Sequence, residues 1–200
     1  MSDAPPGVDL LWIPLGAGAA LPIVRWSGHA YERIAAARNR RPRCDLFHSA
    51  LEVRTAADRY VVEMTPAWGP GRSGEGAVAT GPVGFVALGR ARLFRYEVHC
   101  WRDGVIPDRA YAVGGPRALT SSDTVARAIL ALAPAFPTAT WGRDEFGTGD
   151  MWNSNSLIAW LLTRAGFDAG RIAPPPGGRA PGWAAGLVVA SRPRNGGELG

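Results

Sequence analysis

The chain has 200 residues, of which 46% are hydrophobic and eight are tryptophan, enough to bury one core without a second domain. Its 22 basic residues are all arginine against 17 acids, a formal charge of +5, and they stand singly among acids and apolar residues. That pattern argues for a solvated basic surface and against a nucleic-acid partner, and the lack of lysine beside abundant Ala, Gly, Pro and Arg points to a GC-rich bacterial genome.

In chain order, "DLLWIPLG" (9–16) and "LFHSALEVR" (46–54) read as strands, and "DRYVVEMTP" (58–66) as the returning arm of a hairpin turned at "TAAD". Between the first two, "AYERIAAARNR" (30–40) reads as an amphipathic helix. "RLFRYEVHCW" (92–101) is a further strand. "SSDTVARAILALA" (121–133) opens on cap-type residues and repeats Val125, Ala128, Ile129 and Leu132 at helical spacing. "NSNSLIAWLLTRAGF" (153–167) is a third helix, stopped by Gly166, and "AAGLVVASR" (184–192) reads as a strand closing the sheet. The Gly/Pro-rich stretches at 66–76 and 174–182 are loops within one domain, residues 1–200, whose ends at about 1–8 and 193–200 are expected to be flexible. Hairpin connections with interspersed helices predict an α+β fold with a mainly antiparallel sheet.

Cys44 and Cys100 have no paired spacing, the N-terminus lacks the basic and apolar regions of a secretory leader, and no window reaches the 18 or so apolar residues of a membrane span. These features predict a cytoplasmic protein with reduced thiols and no membrane span. The three histidines and two cysteines show no metal-ligand spacing, so neither metal nor cofactor is expected. Cys44 and His48 would share a strand face but stand about 13 Å apart by strand rise, which favours a structural thiol. His99 and Cys100, adjacent on a strand, point to opposite faces. "GRDEFGTGDMW" (142–152), with Asp144, Glu145 and Asp150, lacks the pattern of a P-loop or an EF-hand and reads as a loop that positions the next helix.

Chemistry concentrates at "MWNSNSLIAW" (151–160). On a helix, Leu157, Ile158, Leu161, Leu162 and Ala165 share one face, and that face continued backward reaches Ser154. Its hydroxyl then lies at the helix N-terminus, where free backbone N–H groups favour developing negative charge. Two readings stand: a nucleophile, or an ordinary N-cap, since Ser and Asn are the preferred cap residues. In "LFHSALEV", alternation puts Phe47, Ser49, Leu51 and Val53 on one face and His48, Ala50 and Glu52 on the other. A two-residue turn at Ala56 and Ala57 gives paired positions that sum to 113, so His48 faces Thr65, Ala50 faces Glu63, and Glu63 is a diagonal neighbour of His48. A carboxylate there can orient an imidazole; a one-residue slip would offer Val62 and Met64 instead.

"FHSALEV" followed at long range by "WNSNSLIAWLL" resembles, block for block, the circularly permuted papain-like domains of the NlpC-type superfamily, which includes the lecithin:retinol acyltransferase-like proteins. Histidine before nucleophile is what permutation implies. By motif position, the resemblance makes His48 the base, Ser154 the nucleophile and Glu63 the polar third residue. Serine stands where the family has cysteine, and a hydroxyl needs a well-aligned base and oxyanion hole where a thiol can act as thiolate. The resemblance therefore implies a hydrolase or acyltransferase acting on an amide, ester or thioester of a small-molecule, peptide or acyl substrate. Asn153, Asn155, Trp152 and Asp150 are candidate substrate contacts. The alternative is a non-catalytic binding or scaffold protein that uses the same cleft.

Overall fold

A computed structural model describes residues 4–17, 32, 36–37, 40, 42–67 and 76–193. Among them, strands β1 (Gly7–Pro14), β2 (Asp45–Arg54), β3 (Arg59–Pro66), β4 (Ala77–Pro82), β5 (Arg95–Arg102) and β6 (Arg117–Thr120) form an antiparallel sheet in the order β4-β5-β3-β2-β1-β6. A two-residue strand, β7 (Gly178–Arg179), pairs parallel with Asp45 and Leu46 at the start of β2. Helices α1 (Asp123–Leu132), α2 (Ser154–Arg164) and α3 (Trp183–Ser191) accompany it. The architecture is α+β, as the hairpin connections predict.

The β2–β3 hairpin has the expected register. Leu51 pairs with Val62 and Arg54 with Arg59, the sum of 113 throughout. The turn is held by the Thr55 hydroxyl, which accepts from Asp58 N at 3.0 Å, and by Asp123 of α1, which accepts from Ala56 N at 2.7 Å. β1 begins two residues earlier than predicted, and Val8 is fully buried, so the N-terminal end is ordered strand from Gly7. Of the helix predicted at 30–40, most lies outside the described residues, although Glu32, Ala36 and Ala37 are helical; so do positions 68–75 of the 66–76 loop.

Alternation sorts β1 and β2 onto two faces. Val8, Leu10 and Trp12 of β1 and Phe47, Leu51 and Val53 of β2 enter the main core with all three helices. Leu11, Ile13 and Ala50 form a smaller cluster on the other face with Val61 and Ile106. α2 lies between the sheet and α3, which is why every residue from Ser154 to Leu162 is buried and the helix has no solvated stripe.

The strand predicted at 184–192 is helix α3. That run is apolar on all sides, so periodicity carries no signal and only packing decides. Small buried residues at Ala185, Gly186 and Ala190 let α3 approach α2 closely, and a Cβ on Gly186 would overlap the Ser156 carbonyl oxygen. The short strands β4 and β6 were not legible because β4 mixes Gly and Pro into its six residues and β6 has only four. Among the described residues, no helix is long and apolar enough to cross a membrane.

Candidate functional site

Each member of "NSNS" except Ser154 has a structural task. Asn153, extended at φ −164°, is the N-cap; its side-chain oxygen accepts from Asn155 N at 2.9 Å and Ser156 N at 3.4 Å. Ser156 Oγ accepts from Asn153 N at 3.1 Å, completing a capping box, and donates to Gly182 O at 2.8 Å. Asn155 donates to Phe47 O (2.9 Å) and Pro181 O (2.8 Å) and accepts from Ser49 Oγ (2.8 Å). The cap is thus Asn153, one residue before Ser154, and Ser154 is the first helical residue. Its hydroxyl makes no hydrogen bond among the described residues, although Ser154 is only 6% exposed.

Three of the candidate substrate contacts serve the framework. Trp152 is 1% exposed, stacked on Phe136 at 4.9 Å and edge-on to Phe146, with Nε1 donating to Pro137 O; it is core, not a cleft wall. Asp150 clamps the start of α3, accepting from Gly182 N at 2.7 Å as well as from Met151 N. Burial raises its pKa and those two backbone N–H groups oppose the rise. Gly182 is required there, since it sits at φ +87° and a Cβ would overlap the Asn153 carboxamide. Asn153 spends its amide group on Pro181 O and its oxygen on the helix. The 142–152 segment is the positioning loop expected, with Asp144 accepting from Thr148 N and Gly149 N.

His48 lies on the other side of its strand. Ser49 turns toward α2, so His48, paired with Ile13, turns toward the smaller core. Its Nε2 sits 2.9 Å from Asp108 Oδ2, each side chain about one-fifth exposed. Asp108 precedes a short 3-10 turn, Arg109–Tyr111, whose Arg109 forks onto Glu52 with Nη2 3.1 Å from Oε2. Arg54 in turn pairs with Asp9. No hydrogen bond joins His48 to Ser154.

Glu63 shares this face but does not orient His48; Asp108 does. Glu63 is 4% exposed and its Oε1 has no hydrogen-bond partner. Burial, aided by the negative charge of Asp108, pushes its carboxyl up to about 8, so it holds its proton at neutral pH and cannot stabilise an imidazolium by charge. Asp108 escaped the sequence reading because it sits in an irregular loop 60 positions after His48, where neither alternation nor helical spacing relates the two.

The remaining candidates are unchanged in kind. His99 is buried, 3.4 Å from Glu97 and stacked on Trp101, a structural setting. Cys44 is half-buried ahead of β2, and burial pushes the Cys100 thiol up to about 11. Neither cysteine forms a disulfide. Among the described residues, no group of three His, Cys, Asp or Glu side chains is arranged to hold a metal ion. No family model, no curated protein and no solved structure matches this chain.

Proposed function

We propose that the chain is a hydrolase or acyltransferase of permuted papain-like type, acting on an amide, ester or thioester, with Ser154 as nucleophile and His48 as base. The observation that carries this reading is the double clamp by Asn155. It binds Phe47 O and Ser49 Oγ, the two residues that flank His48, and so pins the strand of the base against the first turn of the helix whose second residue it is. Ser154, next to it, is the one hydroxyl of that turn with no structural bond. Asp108 replaces Glu63 as the orienting carboxylate. In this reading His48 takes the Ser154 proton as the hydroxyl oxygen attacks the carbonyl carbon, which requires the imidazole to come round from the face of β2 that it occupies beside Asp108; the Ser154 N–H, not spent on the Asn153 cap as those of Asn155 and Ser156 are, supplies an oxyanion donor. Breakdown of the tetrahedral adduct returns that proton to the leaving amine, alcohol or thiol, leaving Ser154 acylated for attack by water or an acceptor.

A fluorophosphonate or β-lactone probe tests this directly. Label on Ser154 in the native protein, lost in Ser154→Ala and slowed about a hundredfold or more in His48→Ala and Asp108→Asn, is the expected result. A second reading, a binding protein using the same cleft, is favoured by the burial of Ser154 and by the separation of its hydroxyl from the imidazole across the strand. An unlabelled Ser154 in folded protein, with a thiol in Ser154→Cys no faster toward iodoacetamide than an ordinary exposed cysteine, would establish that second reading.

A further inference from the structure

The far end of α2, roughly 15 Å from Ser154 by helix rise, carries a separate feature. There a groove of about 510 Å³ opens between the end of α2, the end of α3 and the segment after α1. Phe146, Trp160, Val189 and Pro137 give it apolar walls, and Arg164 and Arg192 give it two guanidinium groups, with no acid among the described residues that line it. The guanidinium of Arg164 lies 5.8 Å from the centre of the Trp160 ring, and that of Arg192 lies 6.0 Å from that of Phe146.

These two arginines, like Arg92 and Arg143, meet backbone carbonyls, unlike the arginines that pair with acids. Arg54, Arg102, Arg109, Arg127 and Arg171 each meet a carboxylate. Arg164 and Arg192 meet only backbone carbonyls among the described residues: Arg164 Nη2 donates to Arg192 O and Arg192 Nη2 to Phe146 O, both at 2.8 Å. Those bonds hold the side chains at the groove and leave most of their donors unspent. Arg164 Nε is buried and has no acceptor. A buried N–H without a partner has lost its hydration for nothing in return, and a forked pair of donors suits a carboxylate best. The size, the apolar walls and the few fixed polar groups are those of a small-molecule site.

We propose that this groove binds a small carboxylate that carries an aromatic or branched aliphatic group. The carboxylate lies between Arg164 and Arg192, and the apolar body rests on Trp160 and Phe146. The inference stands apart from the proposed chemistry at Ser154, since it uses neither Ser154 nor His48.

Titration of the full chain with 3-phenylpropionate, followed by calorimetry and by saturation transfer to the ligand in NMR, tests it. Saturable binding that weakens with salt is expected, reduced about tenfold or more in Arg164→Gln and in Arg192→Gln at unchanged melting temperature. The uncharged 3-phenylpropanamide should bind about tenfold or more weakly, and inorganic phosphate, which lacks an apolar body, should not compete at equal concentration. Acid and amide binding equally, or no saturable binding of the acid up to its solubility limit, would overturn the proposal without reliance on any variant. Undiminished binding to both folded variants would overturn it as well.

Discussion

Replacing Glu63 by glutamine should make the protein more resistant to alkaline conditions, and the size of the effect follows from the position of the residue. The carboxyl is 4% exposed, one of its oxygens has no hydrogen-bond partner, and Asp108 adds negative charge nearby. Its pKa therefore rises from the ordinary 4.5 to about 8 on folding. Below about 4.5, both folded and unfolded chains carry the proton, and Glu63 is then at its most favourable. Between about 4.5 and 8, the unfolded chain has released it and the folded chain has not, so stability falls by about 1.36 kcal/mol per pH unit. Above about 8 the loss is complete, on the order of 5 kcal/mol, an upper bound because structural relaxation around an ionised carboxylate recovers part of it. Glutamine is nearly isosteric and does not titrate. Urea unfolding of both proteins at pH 4.5, 7 and 9 should give curves that diverge in favour of Glu63→Gln as pH rises, other titrating groups being common to both. Parallel pH dependences would refute the reasoning, because they would mean that Glu63 ionises as readily in the folded protein as in the unfolded one.

The capping geometry predicts that Asn153→Ala costs about 1–2 kcal/mol in thermal or urea unfolding, while Ser154→Ala, which removes no hydrogen bond, is close to neutral; the reverse order would place the cap at Ser154. Cys100, with its thiol pushed by burial up to about 11 from the ordinary 9.0, should react with iodoacetamide about a hundredfold more slowly in the native protein than in the urea-unfolded chain, as mass spectrometry of briefly alkylated samples would show.

The sequence was most informative where one rule acted alone. Alternation in "LFHSALEV" and a two-residue turn at Ala56–Ala57 are local, and together they lead to the observed register of β2 against β3. The cap-type residues before α1 and α2 likewise announce helix starts, although among two asparagines and two serines in succession, all preferred cap types, cap preference alone does not say that Asn153 is the cap. Alternation separates His48 from Ser49 but does not say which of the two faces receives α2; that is decided by packing between residues 49 and 155, far apart in the chain. The same limit hid Asp108. It also explains the misread α3, whose uniform apolar character is imposed by burial against α2 and so erases the period that would have marked it as a helix.

Trp12 and Trp183 stack at 5.0 Å, an early strand against a late helix. On the ribosome this contact orders events in time. β1, β2 and β3 can pair as soon as they are made, but the apolar face that carries Leu10, Trp12 and Leu51 is covered in full only when α1, α2 and finally α3 have left the exit tunnel. At about 5–20 residues per second, the chain spends several seconds between the making of β3 and that of α3 with that face partly open, a window in which self-association competes with folding. The residues that end the window are the small ones of α3, because only a slim helix can slide in beside α2 and close the layer.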